Sequence, residues 1–283
     1  MLTISEALDE QGRTAAKKVT STGRPLSYLV QAAFAGAYIG VAVVLMVSAA
    51  GPLALLGSGW TKLVQGLVFG VALTLVFAAG GELATSNMMT LTQGILRRTI
   101  SVRTGAGTLA FSFAGNLVGA FVFAAMVKAS GVLAPDTAGG KMIASNLAAK
   151  SHESNSELFW RGVLANVLVC VAIWSAVRLR SEGAQLLVIF WSLLAFITSG
   201  FEHVVANMTT FSLGFLGGLP GASLADFGRN LVVVGAGNLV GGALVVGAAY
   251  AVVAGRSHPG AQPEPDRPGG AEIDDLPVLA ERT

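Results

Sequence analysis

Glu82-Leu83-Ala84-Thr85-Ser86-Asn87-Met88 and Glu202-His203-Val204-Val205-Ala206-Asn207-Met208 are two versions of one segment. Each follows a glycine closely, Gly80-Gly81 in the first case and Ser199-Gly200 in the second, and each reads Glu, four residues, Asn-Met. A second matching pair lies farther along: Ala114-Gly115-Asn116-Leu117-Val118-Gly119 returns almost unchanged as Ala236-Gly237-Asn238-Leu239-Val240-Gly241. The pairs keep their order at offsets of 120 and 122 residues, so the chain carries an internal repeat.

The surroundings say where the repeat sits. The chain has 283 residues, 53% hydrophobic and only 12% charged, against about a quarter charged in a soluble domain. A membrane-spanning helix needs ~20 mostly apolar residues. Six stretches are long and apolar enough, at about 26–50, 63–91, 105–127, 158–177, 184–215 and 231–254. The fold class is therefore an all-α integral membrane protein. Three spans per half force the halves into opposite orientations, an inverted 3+3 repeat, whose site lies near the midplane between interrupted helices. The second and fifth stretches are too long for one crossing and carry Gly80-Gly81-Glu82 and Gly200 with Glu202-His203 near their middle. Both are expected to be broken helices, because irregular backbone at membrane depth must be protein-buried or line a cavity. Gly36 and Gly40, Gly115 and Gly119, and Gly237 and Gly241 fit close helix packing.

Basic residues orient the chain. Arg13, Lys17, Lys18 and Arg24 precede the first span, Arg97, Arg98 and Arg103 follow the second, Arg178 and Arg180 the fourth, and Arg256 the sixth. These segments share one side, which the positive-inside rule makes the cytoplasm, with both termini there. Lys62, Lys128, Lys141, Lys150, Arg161 and Arg229 fall on the other side. Residues 1–25 read as a polar, amphipathic cytoplasmic segment without the features of a secretory signal, and 26–254 as the membrane domain. Residues 255–283, rich in proline and acidic side chains, read as a disordered cytoplasmic tail. The single cysteine, Cys170, permits no intrachain disulfide and reads as a buried structural thiol.

Within the membrane core the notable ionisable side chains are Glu82, Glu202 and His203. Such residues are functional candidates by default. The matched glutamates are expected to serve the helix breaks, satisfying loose backbone amides there, with Asn87 and Asn207 as structural partners in the same motif. His203 stands where the first half has Leu83, so it is assigned to the cargo. His152 and His258 read as exposed.

At these residues the chain resembles the formate/nitrite transporter family. Ala79-Gly80-Gly81-Glu82-Leu83-Ala84-Thr85-Ser86 resembles its first signature, Gly162-Val163-Leu164-Ala165-Asn166-Val167-Leu168-Val169-Cys170-Val171-Ala172 its second, and Gly200-Phe201-Glu202-His203-Val204-Val205-Ala206-Asn207-Met208 its third landmark. Ala35-Gly36-Ala37-Tyr38 and Leu193-Leu194-Ala195-Phe196-Ile197 are most similar to the nitrite-channel branch. The resemblance implies a homopentamer in the cell's inner membrane, with an aquaporin-like fold and one pore per protomer. It implies apolar constrictions at Phe69, Leu73 and Phe196, with Leu83 in the same stretch. It implies polar pore residues at Thr85, His203 and Asn238, and a lysine, Lys150, that makes the outer vestibule electropositive. Ala84 departs from the family pattern, where a large apolar residue is usual, and an alanine there predicts a wider neighbouring constriction.

The implied activity is passage of small monovalent anions, nitrite first, with formate, hydrosulfide and short carboxylates left open. Stripping water from an isolated anion is costly. Lys150 would raise the local anion concentration. His203, with an unperturbed pKa of about 6.5, would pair with the anion or hand it a proton. Thr85 would donate a hydrogen bond opposite it, and Asn238 would orient the imidazole. No cofactor, metal ion or nucleic acid is implied. An embedded enzyme would need a His-rich pair, a HExxH helix, a Walker loop or a nucleophile–base pair, none of which the sequence contains. An aquaporin-type neutral-solute channel would pair Asn-Pro-Ala motifs, and this chain has no Asn-Pro.

Overall fold

The computed structural model describes residues 1–255, and all regular structure among them is helical. The expectations for the tail beyond, His258 included, lie outside the described residues. The first helix, α1 (Ile4–Ser21), starts on a reciprocal cap: Thr3 Oγ1 accepts the Glu6 N–H, and the Glu6 carboxylate accepts the Thr3 N–H. The Thr3 N–H and hydroxyl, both donating to the Glu6 carboxylate, hold that carboxyl below its ordinary value. The helix buries Ala7, Leu8, Gln11, Gly12 and Ala15, the one-sided spacing of an amphipathic helix.

Helix α2 (Pro25–Leu55) starts on a proline, whose missing N–H costs nothing at that position. Helices α3 (Thr61–Phe69) and α4 (Val71–Ala78) meet at Gly70, and α5 (Ala84–Leu96) follows a gap. Then come α6 (Val102–Ser130), α7 (Ala138–His152), α8 (Asn155–Arg178), α9 (Glu182–Thr198), α10 (Val204–Gly217) and α11 (Leu224–Leu239). The last runs through a π-helical stretch, Val240–Ala248, into α12 (Ala249–Ala254). Among the described residues, five helical segments are long and apolar enough to cross a membrane: Pro25–Leu55, Thr61–Ala78, Val102–Ser130, Asn155–Arg178 and Leu224–Ala254. Helices α9 and α10 are apolar but shorter.

The stretch that holds Lys150 and His152, between the third and fourth expected spans, is itself helical. Residues 138–152 form α7, with Thr137 as N-cap and Met142, Ile143 and Leu147 buried. His152 is exposed, as expected.

Close packing explains the repeated Ala-Gly-Asn-Leu-Val-Gly segment. A Cβ on Gly119 would lie 1.8 Å from the Ala33 carbonyl oxygen, and one on Gly241 would lie 2.2 Å from that of Val163. Helix α6 therefore touches α2 backbone to backbone, and the π-helical stretch touches α8 likewise. The main apolar core takes in Phe69, Leu73, Leu83, Phe196 and Val204. A second cluster, beneath α1, gathers Leu8, Met89, Trp174 and Val246 with the buried Cys170.

Candidate functional site

The helix breaks build the site. After α4 the chain turns at Gly80 (φ 76°), and after α9 at Gly200 (φ 75°). Both lie in the left-handed region that only glycine enters without strain. Leu83 and His203, which precede the first residues of α5 and α10, are both extended. Helix N-termini there leave amide hydrogens that need acceptors.

Two asparagines supply them. Asn116 Oδ1 accepts the Ala84 N–H at 2.9 Å, while its Nδ2 donates to the carbonyls of Ala32 and Glu82, each at 2.8 Å. Asn238 repeats this in the other half: Oδ1 accepts the Val204 N–H at 2.9 Å, and Nδ2 donates to Gly162 O at 2.7 Å and Glu202 O at 3.0 Å. Even the backbone bonds match, with Glu82 N–H donating to Gln31 O and Glu202 N–H to Arg161 O. Two expectations change here. The amides at the breaks are taken by asparagine side chains, not by the glutamates. Asn238 holds the backbone beside His203 and makes no hydrogen bond to its imidazole.

The glutamates pair with cations instead. Lys18 Nζ donates to Glu82 Oε2 at 2.6 Å, and Asn87 Nδ2 reaches the same oxygen at 3.2 Å. Lys150 Nζ lies 2.5 Å from both Glu202 carboxylate oxygens, and Asn207 Nδ2 donates to Oε2 at 2.6 Å. Lys18 was read from sequence only as part of a basic cluster. Its role here had no local signal, since the partner is 64 residues away.

Thr85 and His203 meet between these two networks, with Thr85 Oγ1 and His203 Nε2 2.8 Å apart and both residues buried. His203 Nδ1 accepts the Ala206 N–H at 3.2 Å, which caps α10. A nitrogen that accepts carries no hydrogen, so in the neutral ring the hydrogen sits on Nε2 and points at Thr85. The Thr85 O–H is then free to donate elsewhere. The Phe196 ring lies 6.0 Å from the imidazole and 6.0 Å from the Phe69 ring. Leu73 and Leu83 belong to the same buried apolar core. Asn166, quoted in the second signature without a role, ties the parts together: Nδ2 donates to Asn238 O at 2.7 Å and to Thr85 O at 3.2 Å.

The flank near Lys150 is crowded with charge. Arg229 donates to the carbonyls of Lys150, Ser151 and Glu153, and Arg161 pairs with Glu153. Burial, and then the nearby Glu202 charge, push the Glu153 carboxyl above its ordinary value of 4.5.

Comparison with known proteins follows from this geometry. The family model described as "Formate/nitrite transporter" matches residues 5–252. The nitrite transporter NirC of Salmonella typhimurium is 41% identical over 258 residues, spanning 89% of this chain and 90% of that protein. A solved structure titled "FNT family ion channel" superposes with a TM-score of 0.82 at 38% identity, covering 88% of this chain and 98% of that one. A "Pentameric formate channel with formate bound" reaches 0.70 at 27% identity, covering 82% and 98%.

Proposed function

The chain belongs to the formate/nitrite transporter family, and on that premise we propose that it is a membrane channel for small monovalent anions, with nitrite as its foremost cargo. The observation that carries this reading is the buried hydrogen bond between Thr85 and His203, which joins the two helix breaks beside Phe69 and Phe196. A cargo crossing between the breaks passes the apolar rings of Phe69 and Phe196 beside this polar pair. The rings strip its water, and the pair offers the hydrogen bonds that offset part of that loss.

With the neutral ring donating through Nε2, the Thr85 hydroxyl donates to the anion. When the ring is cationic it can give one proton to the anion, leaving a neutral imidazole and a neutral acid that passes the apolar rings more easily. A second ring proton must sit on Nδ1, where Ala206 N–H now points. Protonation of His203 and capping of α10 are therefore alternatives, which couples proton movement to this turn. At the mouths, Lys150 and Lys18 are each answered by a glutamate. A paired lysine attracts an anion less strongly than a bare one and releases it more easily, as conduction requires.

The architecture we propose is six crossings arranged as an inverted 3+3 repeat, with α3–α5 and α9–α10 as the broken second and fifth spans. The protomer is aquaporin-like and assembles as a homopentamer in the cell's plasma membrane, with both termini in the cytoplasm. The repeated asparagine and lysine–glutamate networks support the repeat, and the basic residues around α1 support the orientation. Formate is the second reading, favoured by the fit to the formate-bound pentameric channel.

A flux panel tests the assignment. Purified protein in liposomes is expected to pass nitrite fastest, then formate, with hydrosulfide and short carboxylates placed by the same assay. Passage of water or glycerol without any of these anions would replace the anion reading with a neutral-solute pore.

A further inference from the structure

At the end of the molecule that carries α1, a cavity of about 950 Å³ opens between α1, the end of α5 and α12. Leu8, Leu96 and Ala251 form part of its apolar wall, Arg97 and Arg98 part of its lining, and Gly255 stands at its edge. The two arginines differ. Arg97 is engaged in an ion pair with Asp9. Arg98 is exposed and makes no ion pair among the described residues. It follows the C-cap of α5 with φ 58°, the left-handed turn in which helices commonly end, and the Thr99 N–H closes that turn on Gly94 O.

Gly255 is also the last described residue, so the rest of the chain leaves from the edge of this cavity. Beyond it runs Glu272-Ile273-Asp274-Asp275-Leu276-Pro277-Val278-Leu279, three acidic side chains around Ile273 followed by an apolar run, with no basic one. The connection from Gly255 to Glu272 spans up to roughly 55 Å when extended, so reach is no obstacle.

We propose that this segment, residues 272–279, docks in the cavity of its own chain, its acidic side chains on Arg98 and its apolar ones against Leu8, Leu96 and Ala251. The match is one of charge and of polarity: an unanswered cation beside apolar walls, and an acidic-apolar strip tethered at the edge. Docked there, the segment ties α1 to α5 and α12. Because α1 also carries Lys18 to Glu82, the contact reaches toward one of the two lysine–glutamate networks.

The test uses the full-length chain in nanodiscs with Leu96→Cys and Leu276→Cys together; the native Cys170 is buried. Mild oxidation is expected to give a disulfide within one chain. Arg98→Gly removes the guanidinium while suiting the positive φ, so folding is preserved, and it is expected to slow the disulfide about five-fold, the scale of one lost charge pair. Salt at about 1 M, where the screening length is about 3 Å, should slow it similarly. Arg98→Glu combined with Asp274→Lys should restore the rate. The proposal is overturned if no intrachain disulfide forms, or if disulfides form only between chains, which would make a neighbouring copy the occupant. A rate indifferent to Arg98→Gly and to salt would overturn it equally.

Discussion

His203 holds two neighbours at once, the Ala206 N–H through Nδ1 and Thr85 through Nε2. A hydrogen bond to a charged group is worth about 1.5–3 kcal/mol, so losing the Thr85 hydroxyl should slow anion passage by roughly ten-fold or more. Thr85→Val, close in shape, is expected to show that loss in initial flux rates, and Thr85→Ser to keep most of the wild-type rate. Equal rates for valine and threonine would remove the hydroxyl from the mechanism. His203 was legible in the sequence because it breaks the symmetry of a repeated motif. Asn238 was legible as a repeated residue and, through the resemblance, as a pore residue, but not as the side chain that holds the helix break. An amide can donate and accept, and nothing in its spacing told that its oxygen faces Val204 N–H while its nitrogen faces two carbonyls.

At the scale of helices, each break depends on one asparagine brought from a neighbouring element. Asn238→Ala leaves the Val204 N–H and two carbonyls without this partner. It should lower stability by about 1–3 kcal/mol, read as a drop in melting temperature in detergent. Asn238→Asp keeps an acceptor for Val204 N–H but places a carboxylate against two carbonyls, so it should do no better than alanine. A melting temperature unchanged by either variant would contradict the role assigned to this side chain. Glu153, at the end of α7, gives a pH prediction. Its raised carboxyl means that the folded chain binds this proton more tightly than the unfolded one. The contribution to stability therefore grows as pH falls through the raised value and levels off below the ordinary 4.5. Glu153→Gln should remove that dependence from thermal unfolding curves measured across pH. The element-level pattern was half legible. Offsets of 120 and 122 were visible, but the third correspondence, Gln31 to Ala33 with Arg161 to Val163, uses backbone carbonyls. Any side chain can sit above a carbonyl, so no residue identity marks it. Helix α7 was missed because it is too short and mixed in polarity to register as a span, and the π-helical turn after Asn238 left no periodicity to read.

For the whole molecule, the account rests on a single-chain pore repeated in an assembly. Native mass measurement in nanodiscs should return five copies of the 28.8 kDa chain, and a monomer as the sole stable species would contradict the proposed pentamer. Membrane embedding was legible from composition alone, because apolar stretches with few charges have no stable place in water. Assembly was not, since lipid-facing and partner-facing surfaces are both apolar and small-residue packing serves within a chain as well as between chains. The measurement that bears most directly on the central claim is anion flux into liposomes holding purified protein, wild type beside His203→Ala. Nitrite and formate would each be supplied at pH 5 and pH 7.5, on either side of the ordinary histidine range. The account predicts passage of both ions by wild type, nitrite faster, with the variant losing transport or its response to pH. Undiminished flux with the same pH response in His203→Ala would contradict it.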